Sequence, residues 1–314
     1  MSTIFVSIAS YCDSLLKTTM EDALDNARYP DELRFGVVEQ SNISHLPNMT
    51  DRLKRNVRHL LVDPKQSRGA CWARALVMSM YGDEDWFFQI DAHTIFDKHW
   101  DACLQGAWAD CSRVSKKPYI AGYPHPYEIK DGISEKKKYT EGIIANVVSK
   151  DKGFGENYID LPFTSIFVDK PNPIKGFHLA AGCVFAPGNF VYELPYDPFI
   201  YFYGEEPLLA LRAFTHGWDL FHIPKLPVYH YYDTGEIEIK RTRHWSEEED
   251  SGRTERWWDF NNRANSRMNQ IVHGKDFGVY GLGRERTIQE YAEFSGIDYV
   301  NKTLDPKAYT GSWG

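Results

Sequence analysis

An α/β fold is predicted: a Rossmann-like, mostly parallel central sheet flanked by helices, with a smaller β-rich region and a helical C-terminal segment. Three observations predict it. Apolar runs of strand length alternate with segments of helical spacing from the amino terminus onward, which calls for a parallel sheet with right-handed crossovers. Residues 86–90 are almost wholly apolar and aromatic, as a central strand covered on both faces must be. A chain of 314 residues with 42% hydrophobic and 25% charged side chains can also bury a large core. No repeat or low-complexity linker divides it, so residues 1–314 read as one integrated domain.

Residues 4–9 are the first strand. Residues 13–28 set Leu15, Leu16, Met20, Ala23, Leu24 and Ala27 at helical spacing on one inner face, and Pro30 closes the helix. Residues 33–38 are the second strand, ending in Glu39 and Gln40; a polar loop follows, then a third strand at 57–62, a helix at 69–81 and a fourth strand at 87–90. No Gly-x-Gly-x-x-Gly follows the first strand, so a dinucleotide-binding fold loses its main support. Residues 99–114 read as an amphipathic helix, 120–123 as a strand, and 124–138 as a polar loop in which Lys136, Lys137 and Lys138 are solvated. From Tyr139 to Ile174 short strands mix with Gly and Pro turns, a β-rich flank. Two small-residue turns, Ala180-Ala181-Gly182 and Ala186-Pro187-Gly188, bracket a buried strand at 183–185. Tyr196-Asp197-Pro198 is a turn, and Tyr203-Gly204-Glu205-Glu206 opens a helix reaching Thr215, where two acids suit the helix dipole. Residues 219–223 and 228–232 are the last strands, and from Thr234 the chain is polar and helical.

A net charge of −8 argues against broad electrostatic capture of nucleic acid or membrane and leaves room only for a local basic groove. The five cysteines, odd in number and without a Cys-x-x-Cys pair, read as free, mostly buried thiols of a reducing compartment. The amino terminus lacks a signal-type apolar region, and no run approaches the ~20 apolar residues of a membrane span, so a soluble, cytoplasmic protein is expected. Aromatic residues at 15% suit either stacking surfaces for sugars or bases, or aromatic core packing.

The chemistry concentrates where the fourth strand ends. Asp91 and His93, one residue apart, leave the sheet at its carboxyl edge, the place where open α/β sheets bind ligands. A carboxylate and an imidazole there suit a divalent cation holding phosphates; an Asp at a strand end also serves as a helix cap.

Further residues join this pair in a recognisable order. Ser67-Arg68-Gly69-Ala70-Cys71-Trp72-Ala73-Arg74, then Gln89-Ile90-Asp91-Ala92-His93, then Gly204-Glu205-Glu206 with Arg212, resemble a nucleotide-sugar glycosyltransferase of the GT-A fold. More closely, the chain resembles the cytoplasmic hydroxyproline polypeptide α-N-acetylglucosaminyltransferases, glycosyltransferase family 60. The opening Ile4-Phe5-Val6-Ser7-Ile8-Ala9-Ser10-Tyr11 and the late Tyr280-Gly281-Leu282-Gly283, Arg286-Thr287-Ile288 and Phe294-Ser295-Gly296-Ile297-Asp298 fit as well, so the likeness runs nearly end to end. One departure is Cys12, where that family usually has Arg, which puts the nucleotide contacts in question.

The resemblance implies a nucleotide-binding half at 1–115, a half for acceptor and donor sugar at 116–233, and a C-terminal helical segment at 234–314. It implies a retaining transfer from a UDP-sugar, UDP-GlcNAc first, to a hydroxyl acceptor, with Mn²⁺ or Mg²⁺; an imidazole ligand favours Mn²⁺. Asp91 and His93 would ligate it, with His230 in Val228-Tyr229-His230-Tyr231-Tyr232 as third ligand, or as a hydrogen-bonded core histidine. His216 and His222 read as structural. Arg68 and Arg74 would contact the diphosphate or uracil, guanidinium geometry suiting phosphate. Ser7, Ala9 and Tyr11 would cradle the base, and Ala181 and Gly182 are small enough for the backbone to approach the donor sugar. Glu205 and Glu206 match the acidic pair beside donor sugar and acceptor hydroxyl, with Asp197 a further acid near the acceptor. By the resemblance that acceptor would be a protein hydroxyl; the alternative, from the compact chain itself, is a hydroxymethylated DNA base bound in a local groove of Lys240-Arg241-Thr242-Arg243-His244-Trp245 with Trp257 and Trp258. A metal-dependent hydrolase and a non-catalytic sugar- or protein-binding module are the readings from other classes.

Overall fold

Strands that lose both faces to helices are largely apolar, and the central sheet follows this rule from its first strand, where Ser7 and Ser10 are the buried polar exceptions. The computed structural model describes residues 2–137, 142–150, 152–155, 161–233 and 238–311. β1 (Ile4–Tyr11) alternates across the sheet: Ile4, Val6 and Ile8 meet Leu16, Met20 and Leu24 of α1 (Leu16–Asn26) on one face, while Phe5 joins the cluster of the opposite face. β2 (Leu33–Gln40) leads to a short α2 (Asp51–Asn56), capped by the Thr50 side chain, and then β3 (Val57–Val62), α3 (Ala70–Met78) and β4 (Trp86–Asp91). β3, β2, β1 and β4 lie side by side and parallel, with Tyr11 opposite Gln40 and Ala9 opposite Asp91. That register brings the carboxyl ends of three strands to one edge.

The chain then leaves the sheet through Ala92 and His93 into β5 (Thr94–Phe96), followed by α4 (Trp100–Ser112) and β6 (Pro118–Ala121). The hairpin β7 (His125–Lys130) and β8 (Ile133–Lys136) comes next, then β9 (Ile143–Val148), β10 (Phe163–Val168), β11 (Ile174–Gly176) and β12 (Cys183–Pro187). After α5 (Phe190–Glu193) and α6 (Glu205–Thr215) come β13 (Asp219–His222) and β14 (Val228–His230). Helices α7 (Glu247–Asp250), α8 (Trp257–Val272) and α9 (Ile288–Ser295) follow.

The large sheet has eight strands in the order β11-β13-β6-β12-β4-β1-β2-β3. β12 is inserted antiparallel between β4 and β6, with Cys183 opposite Ile90. α1 and α4 cover one face, and α3, α6, α8 and α9 the other. A second sheet, β5-β14-β7-β8, begins where β4 stops; its pairing sets His230 opposite Thr94. Among the described residues no helix is long and apolar enough to cross a membrane. All five cysteines are free; Cys71, Cys111 and Cys183 are buried and Cys103 is exposed.

Four local expectations are corrected. Residues 124–138 are not a polar loop but carry the β7–β8 hairpin. Its turn is Asp131-Gly132, both at positive φ (50° and 75°), as two-residue hairpins require. Tyr127 is buried on the inner face, while Glu128, Lys130, Glu135 and Lys137 pair on the outer one and disguise the strands as a solvated segment. Lys136 is not merely solvated: its Nζ donates to the Phe96 carbonyl and pairs with Asp97. Pro30 does not close α1, which ends at Asn26; it opens a 3₁₀ turn, Pro30–Glu32. The loop after β2 contains α2, whose six residues are too few for a clear periodic signal. Lys138, Tyr139 and Thr234 lie outside the described residues.

Candidate functional site

At the carboxyl edge of β4, Asp91, His93 and His230 place one ligand atom each within 4.8 Å of one another. His230 Nε2 is 3.1 Å from Asp91 Oδ2 and 2.9 Å from His93 Nε2. The jump from sheet to sheet at Ala92 turns His93 inward, and the β5–β14 pairing delivers His230 from far along the chain. Asp13, in the loop after β1, accepts the hydrogen bond of His93 Nδ1 at 2.7 Å. That contact leaves Nε2 as the lone-pair nitrogen facing the cluster. Burial works against an ionised Asp91, but the His230 hydrogen bond and the Arg74 charge outweigh it and hold the carboxyl well below its usual range. Burial and the neighbouring His93 push His230 down to about 4. The result at neutral pH is one carboxylate and neutral imidazole, a donor set that fits a divalent cation and leaves positions for phosphate oxygens. Gly182 makes room for it: a Cβ there would lie 2.7 Å from Asp91 Oδ2.

Around this cluster opens a cavity of about 600 Å³, within the range of small-molecule sites. α6 starts beside it because Gly204 adopts a left-handed φ of 84° and turns Glu205 and Glu206 inward. Glu206 Oε1 accepts the Ala181 N–H at 2.8 Å and Oε2 the Tyr123 hydroxyl at 2.7 Å. Burial opposes its ionisation, yet His178 beside it, at 3.5 Å, and the Ala181 N–H lower its pKa. Glu205 goes the other way: burial raises it to about 7 despite Arg74 at 3.1 Å. The two adjacent carboxyls have pKa values driven apart, so near neutrality a proton resides on Glu205 while Glu206 stays ionised.

Ala9, Tyr11, Arg74, Asp91, His93, Ala181, Gly182, Glu205, Glu206 and His230 all line this cavity. Arg74 spends its guanidinium on the protein: it reaches Asp91 Oδ1 (2.9 Å), Glu205 and the Ala181 carbonyl. Three other expected site residues lie elsewhere. Ser7 is buried within β1, opposite Gln89. Arg68 is exposed and does not line the cavity. Asp197 is buried away from it, with Oδ2 taken by Arg267 Nε at 2.6 Å and Oδ1 by the Phe199 N–H. Cys12 does not line the cavity either, although Tyr11 and Asp13 on both sides do.

His216 and His222 bond the carbonyls of Arg212 and Ala121, as structural histidines do. Arg212 itself is buried and holds the carbonyls of Pro195, Val279 and Gly281. The expected basic and aromatic groove enters the cavity only in part. Arg241, Arg243, His244 and Trp245 line the cavity, whereas Trp257 and Trp258 at the start of α8 do not. Arg243 pairs with Asp233. Trp245 stacks on Phe202 at 4.6 Å and, with Tyr203, forms an aromatic rim.

Residues whose role the sequence reading missed are Asp13, Gln40, Tyr123, His178 and Phe202. Gln40 had a local signal as the polar end of the second strand, and Asp13 as an acid just after the first, a signal that equally reads as a helix-starting turn. It serves as one too, accepting the Leu15 N–H at 2.9 Å.

A family model described as Glycosyltransferase (GlcNAc) matches residues 3–54 and 47–301. No curated protein sequence matches the chain significantly. Among solved structures, GalNAc-T7 with UDP, GalNAc and Mn²⁺ is similar over 77% of this chain at 16% identity, with a TM-score of 0.58. The chain spans only 45% of that GalNAc-T7 chain. Weaker matches are TarS 1-349 of S. aureus in complex with UDP (10% identity, 96% of this chain and 80% of that one, TM-score 0.45) and the mannosyltransferase PcManGT from Pyrobaculum calidifontis in complex with GDP-Man and Mn²⁺ (10%, 75% and 59%, 0.48). The first likeness is one of fold, and it bears out the expected GT-A arrangement.

Proposed function

The chain belongs to the Glycosyltransferase (GlcNAc) family, and on that premise we propose that it transfers a sugar from a UDP-sugar, UDP-GlcNAc first, to a hydroxyl acceptor, with Mn²⁺ or Mg²⁺ as cofactor. The observation that carries this reading is the convergence of Asp91, His93 and His230 at the floor of the cavity. Asp91, His93 and His230 would hold a divalent cation, which would supply Lewis acidity to a departing diphosphate. The UDP and Mn²⁺ bound by GalNAc-T7 support the choice of donor and cation, and the motifs that resemble those of the hydroxyproline-modifying family support retention and a protein hydroxyl as acceptor. Five free cysteines support a reducing, cytoplasmic setting.

In this reading each residue has a defined task. Ala9 and Tyr11, with Gln40 opposite Tyr11, line the wall that takes the base. Arg74 acts through Asp91, holding Oδ1 so that Oδ2 faces His230. Glu206 anchors the turn at Ala181 and so fixes Gly182 against Asp91. Glu205, with its pKa near neutrality, exchanges a hydrogen bond with a hydroxyl of the donor sugar. Phe202, Tyr203 and Trp245 form the aromatic rim over which the acceptor enters. A DNA acceptor has less support, since Trp257 and Trp258 stand outside the cavity and Arg243 is neutralised by Asp233.

A panel of nucleotide sugars with Mn²⁺, scored by nucleoside-diphosphate release and by the anomeric proton of the product, tests the reading. UDP-GlcNAc should be turned over by the wild type and not by Asp91→Ala. Donor hydrolysis or transfer that survives in Asp91→Ala would remove the site assignment.

A further inference from the structure

The cavity contains a cation whose partner is not an acid. Arg74 pairs with Asp91 and Glu205, and Arg243 with Asp233. Arg241, by contrast, makes no ion pair among the described residues. Its Nη1 donates to His93 Nε2, and its Nε is buried without a hydrogen-bond partner. A guanidinium whose one hydrogen-bond partner in the cavity is an imidazole keeps unused donors, and its charge, although near the Asp13 carboxylate, is not tied up in an ion pair; both features suit an oxyanion.

The contact with His93 sharpens this. Because Asp13 takes the Nδ1 hydrogen, Nε2 offers a single lone pair, and Arg241 uses it. A cation ligated by Asp91, His93 and His230 needs that same lone pair, and its charge repels a guanidinium at hydrogen-bond distance. Arg241 and the cation therefore compete for one atom. Once displaced, Arg241 still lines the cavity and needs an anion, and the diphosphate of the donor supplies one.

We propose that Arg241 is a diphosphate-binding residue that is handed over from His93 to the phosphate oxygens when cation and donor bind together. The proposal rests on the donor reading given above. It makes Arg241 act in opposite directions on two ligands: it opposes Mn²⁺ alone and favours UDP in the presence of Mn²⁺. Binding of the cation thereby becomes coupled to binding of the nucleotide.

The test is calorimetry on the full chain for wild type, Arg241→Gln and Arg241→Lys, with Mn²⁺ alone, UDP plus Mn²⁺, and uridine plus Mn²⁺. Arg241→Gln should bind Mn²⁺ alone more tightly than wild type, bind UDP with Mn²⁺ about tenfold or more weakly, and bind uridine unchanged. Arg241→Lys, which keeps the charge without the fork, should fall between on UDP. Thermal midpoints taken without ligand identify a variant that has failed to fold, and Arg241→Lys then carries the comparison alone. Equal UDP binding by wild type and Arg241→Gln, or weaker Mn²⁺ binding by Arg241→Gln, overturns the proposal and leaves the donor reading standing. Failure of the wild type to bind UDP with Mn²⁺ overturns both.

Discussion

Asp13→Asn tests whether His93 is a ligand held in one tautomer. Asp13 Oδ2 lies 2.7 Å from His93 Nδ1, while Oδ1 accepts the Leu15 N–H at the start of α1. Burial opposes the Asp13 charge, but the His93 hydrogen bond, helped by the Leu15 N–H and the nearby Arg241 charge, outweighs it and lowers its pKa, so the group stands as a carboxylate. Asparagine keeps an oxygen for Leu15 and turns an amide N–H₂ toward Nδ1. The imidazole then prefers its proton on Nε2, the nitrogen that the cation requires. Loss of such a supporting carboxylate weakens metal affinity by about 10- to 100-fold, or ~1.4–2.7 kcal/mol. The assay is Mn²⁺ titration in the presence of UDP, read by the electron-paramagnetic signal of free Mn²⁺. Folding should be little affected, since the cap to Leu15 survives, and unliganded thermal midpoints check this. Mn²⁺ affinity within about twofold of wild type, alongside abolished binding in Asp91→Ala, would refute the tautomer reasoning while leaving the cluster itself intact.

Three further outcomes follow from the geometry. Gly182→Ala puts a methyl 2.7 Å from Asp91 Oδ2 in a backbone that itself tolerates alanine, so Mn²⁺ affinity should fall by about tenfold with little loss of stability; unchanged affinity would show that Asp91 can shift freely. Glu205 is raised by burial from 4.5 to about 7, so between these values the folded chain holds a proton the unfolded chain has released, and stability falls as pH rises through the window. Glu205→Gln should remove that term, its stability relative to wild type improving from pH 5 to pH 8 in urea midpoints; parallel curves would argue against a protonated Glu205. His222 is lowered by burial from 6.5 to about 4, so its contribution is fully present above 6.5 and is lost as pH falls toward 4. His222→Gln should flatten the acid limb of a plot of thermal midpoint against pH, and an unaltered limb would move the cause to other histidines.

What could be read from the sequence, and what could not, separates by how far each signal reaches. β1, β2 and β4 were legible because each strand must be apolar on both faces, a demand written in consecutive residues. The Asp91–His93 pair was legible for the same reason: strand, strand end and donors adjoin. The β7–β8 hairpin was not, although Tyr127 and Ile129 alternate and Asp131-Gly132 fits a tight turn, because paired charges on its outer face imitate a loop. His230 could be named only as a histidine near a strand end; its place depends on β14 lying against β5, a contact spanning more than a hundred positions. Asp197 shows the converse error. It has the chemistry of a site acid, yet Arg267 on α8 takes its carboxylate, and nothing near Asp197 in sequence announces that partner.

The three cavity arginines make the same point most sharply. Arg74, Arg241 and Arg243 are the same residue type, and composition assigns them one task. What separates them is the partner each meets: Asp91 and Glu205 for Arg74, Asp233 for Arg243, and an imidazole for Arg241. A guanidinium already neutralised by carboxylates holds structure, because binding an anion would mean giving up an existing ion pair. One whose hydrogen-bond partner is an imidazole, with no carboxylate paired to it, gives up less. The free-energy difference between those two exchanges, more than the identity of the residue, decides which arginine can answer a diphosphate.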